Sequence, residues 1–239
     1  ALSENLRRRA SPYQTHRLTL VARTSEELQS RLEHPPDTIP PSRTSPKVVF
    51  VCPGPGSFCK EALSALRRND AARDILEQCD AHIRERLRTT LEDIATTATV
   101  RIDHAQPAVF ALSLASSAWL RSIGVHPDAL LGHSAGEYAA LVLAESATLA
   151  TALNALISRG QAMAATQPGK MAALLTKTPQ KPTLPRGVEI AAFNAGDQWV
   201  VSGPDEAIDD LVRDGASLDY VVKPLPIPCA AHSAFMDDA

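Results

Sequence analysis

No apolar run in this chain is long enough to span a bilayer, so no membrane-spanning helix is expected. No charge of one sign dominates either: 24 Lys and Arg against 27 Asp and Glu leave a formal net charge of −3, which gives no footing for a nucleic-acid surface. The one basic cluster, Arg7-Arg8-Arg9, lies in a polar leader and reads as a solvated linker. Metal-type spacing is missing as well. Cys52, Cys59, Cys79 and Cys229 form no C-x-x-C pair, and His82, His104, His126, His133 and His232 are scattered at unrelated intervals. The expectation is therefore no metal site, buried or incidental thiols, and a reducing, cytoplasmic compartment. No internal repeat is detected, and the first residues do not read as a signal peptide. The opening Ala1-Leu2-Ser3-Glu4-Asn5 has no initiator Met, which suggests a piece of a longer polypeptide.

What is present is apolar residue in globular proportion, 44% of 239, enough for a substantial core in one domain with an appendage or in two small domains. Residues 16–23 read as a short strand. Thr24-Ser25-Glu26-Glu27 predicts a capping box, with Thr24 accepting from the Glu27 N–H and Glu27 reaching back, for a helix to about Leu32. Pro35, Pro36, Pro40, Pro41 and Pro46 then exclude regular structure and mark a linker. Residues 47–52 read as a buried-type strand, stopped by Pro53-Gly54-Pro55-Gly56-Ser57. Helices are expected over about 60–68, 71–88, 106–123 and 148–165, with a strand and elbow at 129–134. Beyond residue 168 the texture changes. Strands at 171–176, 188–193, 199–202 and 220–223, with a helix to about Arg213, suggest a small α+β unit resembling a ferredoxin-like fold that has lost its first helix. The expected organisation is a linker segment at 1–46, a large subdomain at 47–168 and 225–239, and a small subdomain at 169–224.

Chemistry concentrates at Gly132-His133-Ser134-Ala135-Gly136-Glu137. G-x-S-x-G recurs by chance, but here it follows the apolar run Ala129-Leu130-Leu131 and precedes a helix-like run from Tyr138 to Ala147. Strand, tight turn and helix in that order make a nucleophile elbow, which holds the serine exposed and strained and aims the next backbone N–H, that of Ala135, at an oxyanion. A serine hydroxyl needs a base in reach, and His232 in Cys229-Ala230-Ala231-His232-Ser233 is the candidate. A Cys229–His232 pair is the weaker alternative nucleophile. Arg159 would ordinarily be a helix-surface ion-pair residue.

Taken together, Gly132 to Ala140, Gln106-Pro107-Ala108, Arg159-Gly160-Gln161-Ala162-Met163, Asn194 with Val200-Val201-Ser202-Gly203, and Ala231-His232-Ser233 resemble, in order, the malonyl-CoA:acyl carrier protein transacylase family, specifically the acyltransferase domains of type I polyketide synthases. The resemblance covers about residues 47–239, and residues 16–46 look like the end of a ketosynthase-to-acyltransferase linker. It implies an α/β fold: an α/β-hydrolase-like large subdomain with a parallel sheet and nucleophile elbow, plus the ferredoxin-like subdomain. It also implies Ser134 as nucleophile, His232 as general base and then acid, and Arg159 as a fork for the malonyl carboxylate. His133, Ala231, Asn194 and Gln106 become substrate-binding positions. The substrate would be a coenzyme A thioester of malonyl or a substituted malonyl, with no bound cofactor. The partners would be an acyl carrier protein, a ketosynthase and other domains of the same polypeptide, with no nucleic acid and no membrane.

Three departures from the family pattern bear on activity. The family's Gly-Gln-Gly-Ser-Gln turn is Gly54-Pro55-Gly56-Ser57-Phe58 here, so Pro55 cannot supply the backbone N–H of the oxyanion hole unless Gly56 replaces it. Ala231 stands where Phe resembles malonyl-selective and Ser methylmalonyl-selective domains, which leaves the extender open. The chain also stops soon after His232, where the family continues, so a shortened C-terminal part is expected. Two alternatives therefore stay in play: a degenerate acyltransferase acting as a structural spacer, and an α/β-hydrolase thioesterase.

Overall fold

The computed structural model describes residues 20–34, 47–98, 100–177, 181–215 and 220–239, and the chain divides into two units, Ala1–Lys47 and Val48–Ala239. In the first unit, helix α1 spans Ser25–Glu33. Thr24 caps it by accepting from the Glu27 N–H at 3.1 Å. Glu27, expected to reach back to its own cap residue, instead accepts from the Arg23 N–H at 2.8 Å, one residue further out. The expected strand at 16–23 is corrected where it can be checked: residues 20–23 are not extended into a ladder, and no strand among the described residues pairs with them. Residues 16–19 and the proline-rich stretch 35–46 lie outside the described residues.

The second unit begins with β1 (Val49–Cys52) and a single 3₁₀ turn at Pro55–Ser57, followed by α2 (Lys60–Leu66), α3 (Asp70–Leu87), α4 (Leu91–Thr96) and α5 (Ile102–Ser122). Then come β2 (Ala129–Gly132), α6 (Gly136–Leu143) and α7 (Leu149–Ala164). Strand β1 pairs in parallel with β2. It is not the fully buried strand the sequence suggested. Val49 and Val51 are 52% and 60% exposed while Phe50 and Cys52 are buried, because helices cover one face of this two-stranded sheet and only alternate residues point to it. Helix α5 is the centre of the large subdomain and packs against α3, α7 and α6. It starts at Ile102, before the expected position, and runs through Pro107, whose missing N–H forfeits a single backbone bond while the apolar surroundings of Ala108, Phe110 and Ala111 hold the helix together. Helix α4 was not foreseen. Its signal is a capping box, with the Thr90 hydroxyl accepting from the Asp93 N–H at 3.1 Å and the Asp93 carboxylate accepting from the Thr90 N–H at 3.0 Å.

The small subdomain contains β3 (Lys170–Thr176), β4 (Glu189–Ala195), β5 (Gln198–Gly203), α8 (Asp205–Asp214) and β6 (Tyr220–Pro224). The sheet order is β4-β5-β3-β6, with every neighbouring pair antiparallel. That is the strand order of a ferredoxin-like unit. Among the described residues between β3 and β4 there is no helix, as expected. Helix α8 covers one sheet face through Ile208 and Leu211. The other face meets the large subdomain in an apolar cluster of Ile102, Met163, Met171, Val200, Cys229 and Ala231. No helix among the described residues is long and apolar enough to cross a membrane.

The tightest approach of chain to chain is where α6 leaves β2. A Cβ added to Gly136 would overlap the carbonyl oxygen of Cys52 on β1, so only glycine lets the helix start against the strand. Gly136→Ala is expected to lower unfolding stability by about 1–3 kcal/mol. Gly56→Ala, with nothing within 4 Å of its added Cβ, should stay within about 0.5 kcal/mol of the parent in the same denaturant titration.

Candidate active site at the elbow

Ser134 adopts φ +53, in the left-handed region that a non-glycine residue occupies at a cost of about 1–3 kcal/mol. Backbone bonds on both sides hold it there. The His133 N–H donates to the Cys52 carbonyl at 2.9 Å, the Gly136 N–H to the His133 carbonyl at 3.0 Å, and the Glu137 N–H to the Ser134 carbonyl at 3.0 Å. Ala135 is fully buried at the start of α6, and no acceptor among the described residues takes its N–H. A free donor at the positive end of a helix, beside a strained serine, suits a developing negative charge.

The Ser134 hydroxyl lies 2.9 Å from Nε2 of His232. His232 also has a left-handed backbone, φ +60, between two anchors. The Ser233 hydroxyl donates to the Ala230 carbonyl at 2.6 Å, and the Ala234 N–H donates to a Glu189 carboxylate oxygen at 3.2 Å, tying this segment to β4. Burial lowers the His232 pKa, the electrostatic influence of Arg159 and then of His133 lowers it further, and Glu137 opposes them. Cys229 is ruled out as the nucleophile: it is buried, burial raises its thiol pKa, and the imidazole is bonded to Ser134 instead.

Both residues open on a cavity of about 430 Å³ between the two subdomains. Its polar end carries Ser134, His232, His133, Glu137 and Arg159, and its wall is apolar, with Met163, Met171, Ala191 and Val200 among the lining residues. Ala231, Pro55 and Gly56 also line it. Pro55 sits at the first position of the 3₁₀ turn, where a missing N–H costs the turn nothing, and no acceptor among the described residues takes the Gly56 N–H. Arg159 lies in the last turns of α7, and one of its Nη1 hydrogens goes to Oε1 of Gln106.

Two of the expected substrate-binding positions do not reach the cavity. Asn194 is exposed on β4, at the second of two register shifts, and Ala191 and Ala192 line the cavity instead. Gln106 is fully buried and does not line the cavity, since α5 carries it behind Arg159. Conversely, sequence reasoning assigned no role to Glu137, Met163 or Met171. Glu137 and Met163 stood inside the motifs already singled out, and Met171 begins the inner face of β3. Among the described residues no group of three or more His, Cys, Asp or Glu side chains could hold a metal ion.

Residues 49–239 match the family described as acyl transferase domain. The chain is 32% identical over 198 residues to a phenolphthiocerol synthesis polyketide synthase type I of Mycobacterium marinum, covering 80% of this chain and 9% of that protein. It is 30% identical over 246 residues to polyketide synthase GfsA of Streptomyces halstedii, covering 93% of this chain and 3% of that protein. The chain therefore spans a small fraction of the curated relatives it matches. Among solved structures, the acyl transferase domain of SpnD in complex with 2-(pent-4-yn-1-yl)malonyl superposes with a TM-score of 0.78 at 30% identity, covering 95% of this chain and 56% of that one. A Synechocystis malonyl-CoA:ACP transacylase gives 0.67 at 27% identity, covering 80% and 66%. With an elbow serine bonded to a distant histidine in a two-subdomain α/β fold, and with these relatives, the chain belongs to the acyl transferase domain family and resembles the acyltransferase domains of polyketide synthases.

Proposed function

We propose that this chain moves a malonyl-type acyl group from coenzyme A to the phosphopantetheine thiol of an acyl carrier protein, through an ester on Ser134. The observation that carries the reading is the 2.9 Å hydrogen bond between Ser134 and His232 at the mouth of a cavity whose polar end also holds Arg159. His232 takes the hydroxyl proton while Oγ attacks the thioester carbonyl. The Ala135 N–H faces the oxyanion, with Gly56 as the second donor in place of Pro55. Collapse expels the coenzyme A thiolate, which takes the proton from His232. The carrier thiol then enters by the same steps in reverse order, yielding its proton to His232 and leaving Ser134 protonated. A guanidinium presents a planar fork to a carboxylate, so Arg159 selects the charged end of malonyl, and His133 lies beside it. The apolar lining and the small Ala231 leave room for a substituent on the α-carbon, such as that of the 2-(pent-4-yn-1-yl)malonyl group in the SpnD complex. A ketosynthase and other domains of one polypeptide are the corresponding partners.

A second reading, a domain retained as a structural spacer, is favoured by Pro55, since losing an oxyanion donor costs about 10²–10³ in kcat. A thioesterase is disfavoured by a cationic group in the acyl pocket and by the lack, among the described residues, of a carboxylate hydrogen-bonded to His232.

Intact mass after incubation with malonyl-CoA is expected to show one acyl adduct, absent in Ser134→Ala and formed orders of magnitude more slowly in His232→Ala. An unacylated parent chain favours the spacer. The base must be neutral to accept a proton, and its pKa is lowered in the fold. The acid limb of kcat/KM should therefore have its midpoint below the ordinary histidine value of about 6.5. Arg159→Ala, which removes one of the depressing charges, should move that midpoint up, and an acid limb above the ordinary value would contradict the assignment. Arg159→Ala should also cost malonyl transfer about a hundred-fold or more while sparing acetyl transfer, because it leaves a desolvated carboxylate unpaired. Equal losses for both donors would make Arg159 structural.

A further inference from the structure

Gln106 sits in the second turn of α5, 0% exposed, on a helix that is otherwise almost wholly apolar along its buried face. A buried amide without partners is costly, and this one is satisfied at both ends. Its Oε1 accepts from Arg159, and its Nε2 lies 3.3 Å from the Met163 sulfur, a weak acceptor. Arg159 and Met163 stand four residues apart on α7, on the same face, and both line the cavity. Helix α7 is brought in at Gly160, where an added Cβ would lie 2.7 Å from the Asp103 Cα of α5. That close approach is what lets a side chain of α5 reach behind the guanidinium.

From this arrangement we infer that Gln106 is a positioning residue for substrate selection: it holds the Arg159 guanidinium aimed into the cavity without neutralising it. The inference rests on the proposed carboxylate-binding role of Arg159. The chemistry of the partner matters. No other acceptor among the described residues takes an Arg159 N–H, so of five donors one is spent on Gln106 and the rest stay available to a carboxylate. An aspartate or glutamate in this place would orient the fork equally well but cancel its charge before the substrate arrived. A neutral carbonyl oxygen orients and leaves the charge for the ligand. The thioether at the other end fixes which way the amide points, since Nε2 donates to sulfur and only Oε1 can face the arginine.

The test uses Gln106→Met, unbranched and of similar size, whose thioether offers the guanidinium only a weak acceptor in place of the amide oxygen. Acylation of the chain by malonyl-CoA and acetyl-CoA is compared on one protein sample, so that any loss of folded protein cancels in the ratio. The malonyl-to-acetyl ratio of kcat/KM is expected to fall roughly ten- to hundred-fold, chiefly through KM for malonyl-CoA, as for loss of a hydrogen bond to a charged group. Adding Gln106→Met to Arg159→Ala should lower the ratio no further. Gln106→Glu is the second variant: it keeps an acceptor but cancels the charge, so the ratio should fall although Arg159 stays held. A readout independent of activity is the ¹⁵N relaxation of the Arg159 Nε–H group, whose order should drop in Gln106→Met and persist in Gln106→Glu. If Arg159→Ala itself leaves the ratio unchanged, the carboxylate role of Arg159 fails. If Arg159→Ala lowers it and Gln106→Met does not, or if Arg159 is equally ordered in both, the positioning role of Gln106 is overturned.

Discussion

A serine and a histidine 98 residues apart meet at 2.9 Å, and both do so from left-handed backbones, at φ +53 and +60. Neither conformation is favourable for the isolated chain. Each persists because hydrogen bonds on either side over-determine it. At Ser134 these run to β1 and into the first turn of α6. At His232 they run to the Ala230 carbonyl and to Glu189 on β4. The strain is thus offset by two separate pieces of scaffold, one from each subdomain, and the reactive pair exists only where the two come together.

The same seam sets the electrostatics. Burying His232 between the subdomains disfavours its protonated form, and Arg159, which lines the same cavity, acts in the same direction. On the proposed function one arginine would serve both substrate and base, attracting the anion and keeping the imidazole free to accept a proton. The rest of the lining is largely apolar, with Met163, Met171, Ala191, Ala192 and Val200, and the methionines adapt to irregular shapes.

Local order carried much of this in the linear chain. The elbow was legible because strand, glycine, serine, glycine and helix follow one another within a few residues, and steric demands such as that on Gly136 act over the same short range. The caps at Thr24, Asn69, Thr90 and Thr148 are similarly local, each a side chain accepting from an N–H three residues on. The small subdomain could be ordered from its alternation of strands and a single helix, down to the missing crossover helix.

What the chain could not reveal by itself was which side of each element faces which neighbour. Asn194 and Gln106 belong to motifs that resemble the family's, yet one is exposed at a register shift in β4 and the other lies behind Arg159 rather than in the cavity. Val49 and Val51 look like core residues, and whether they are depends on how many layers cover β1. The motifs, caps and element types were determined by the sequence alone, because propensity and sterics operate between residues adjacent in the chain. The pairing of Ser134 with His232, the depressed basicity of that histidine and the support of Arg159 by Gln106 were decided only by tertiary structure, since each depends on distance, burial and charge between segments that meet nowhere but in the fold.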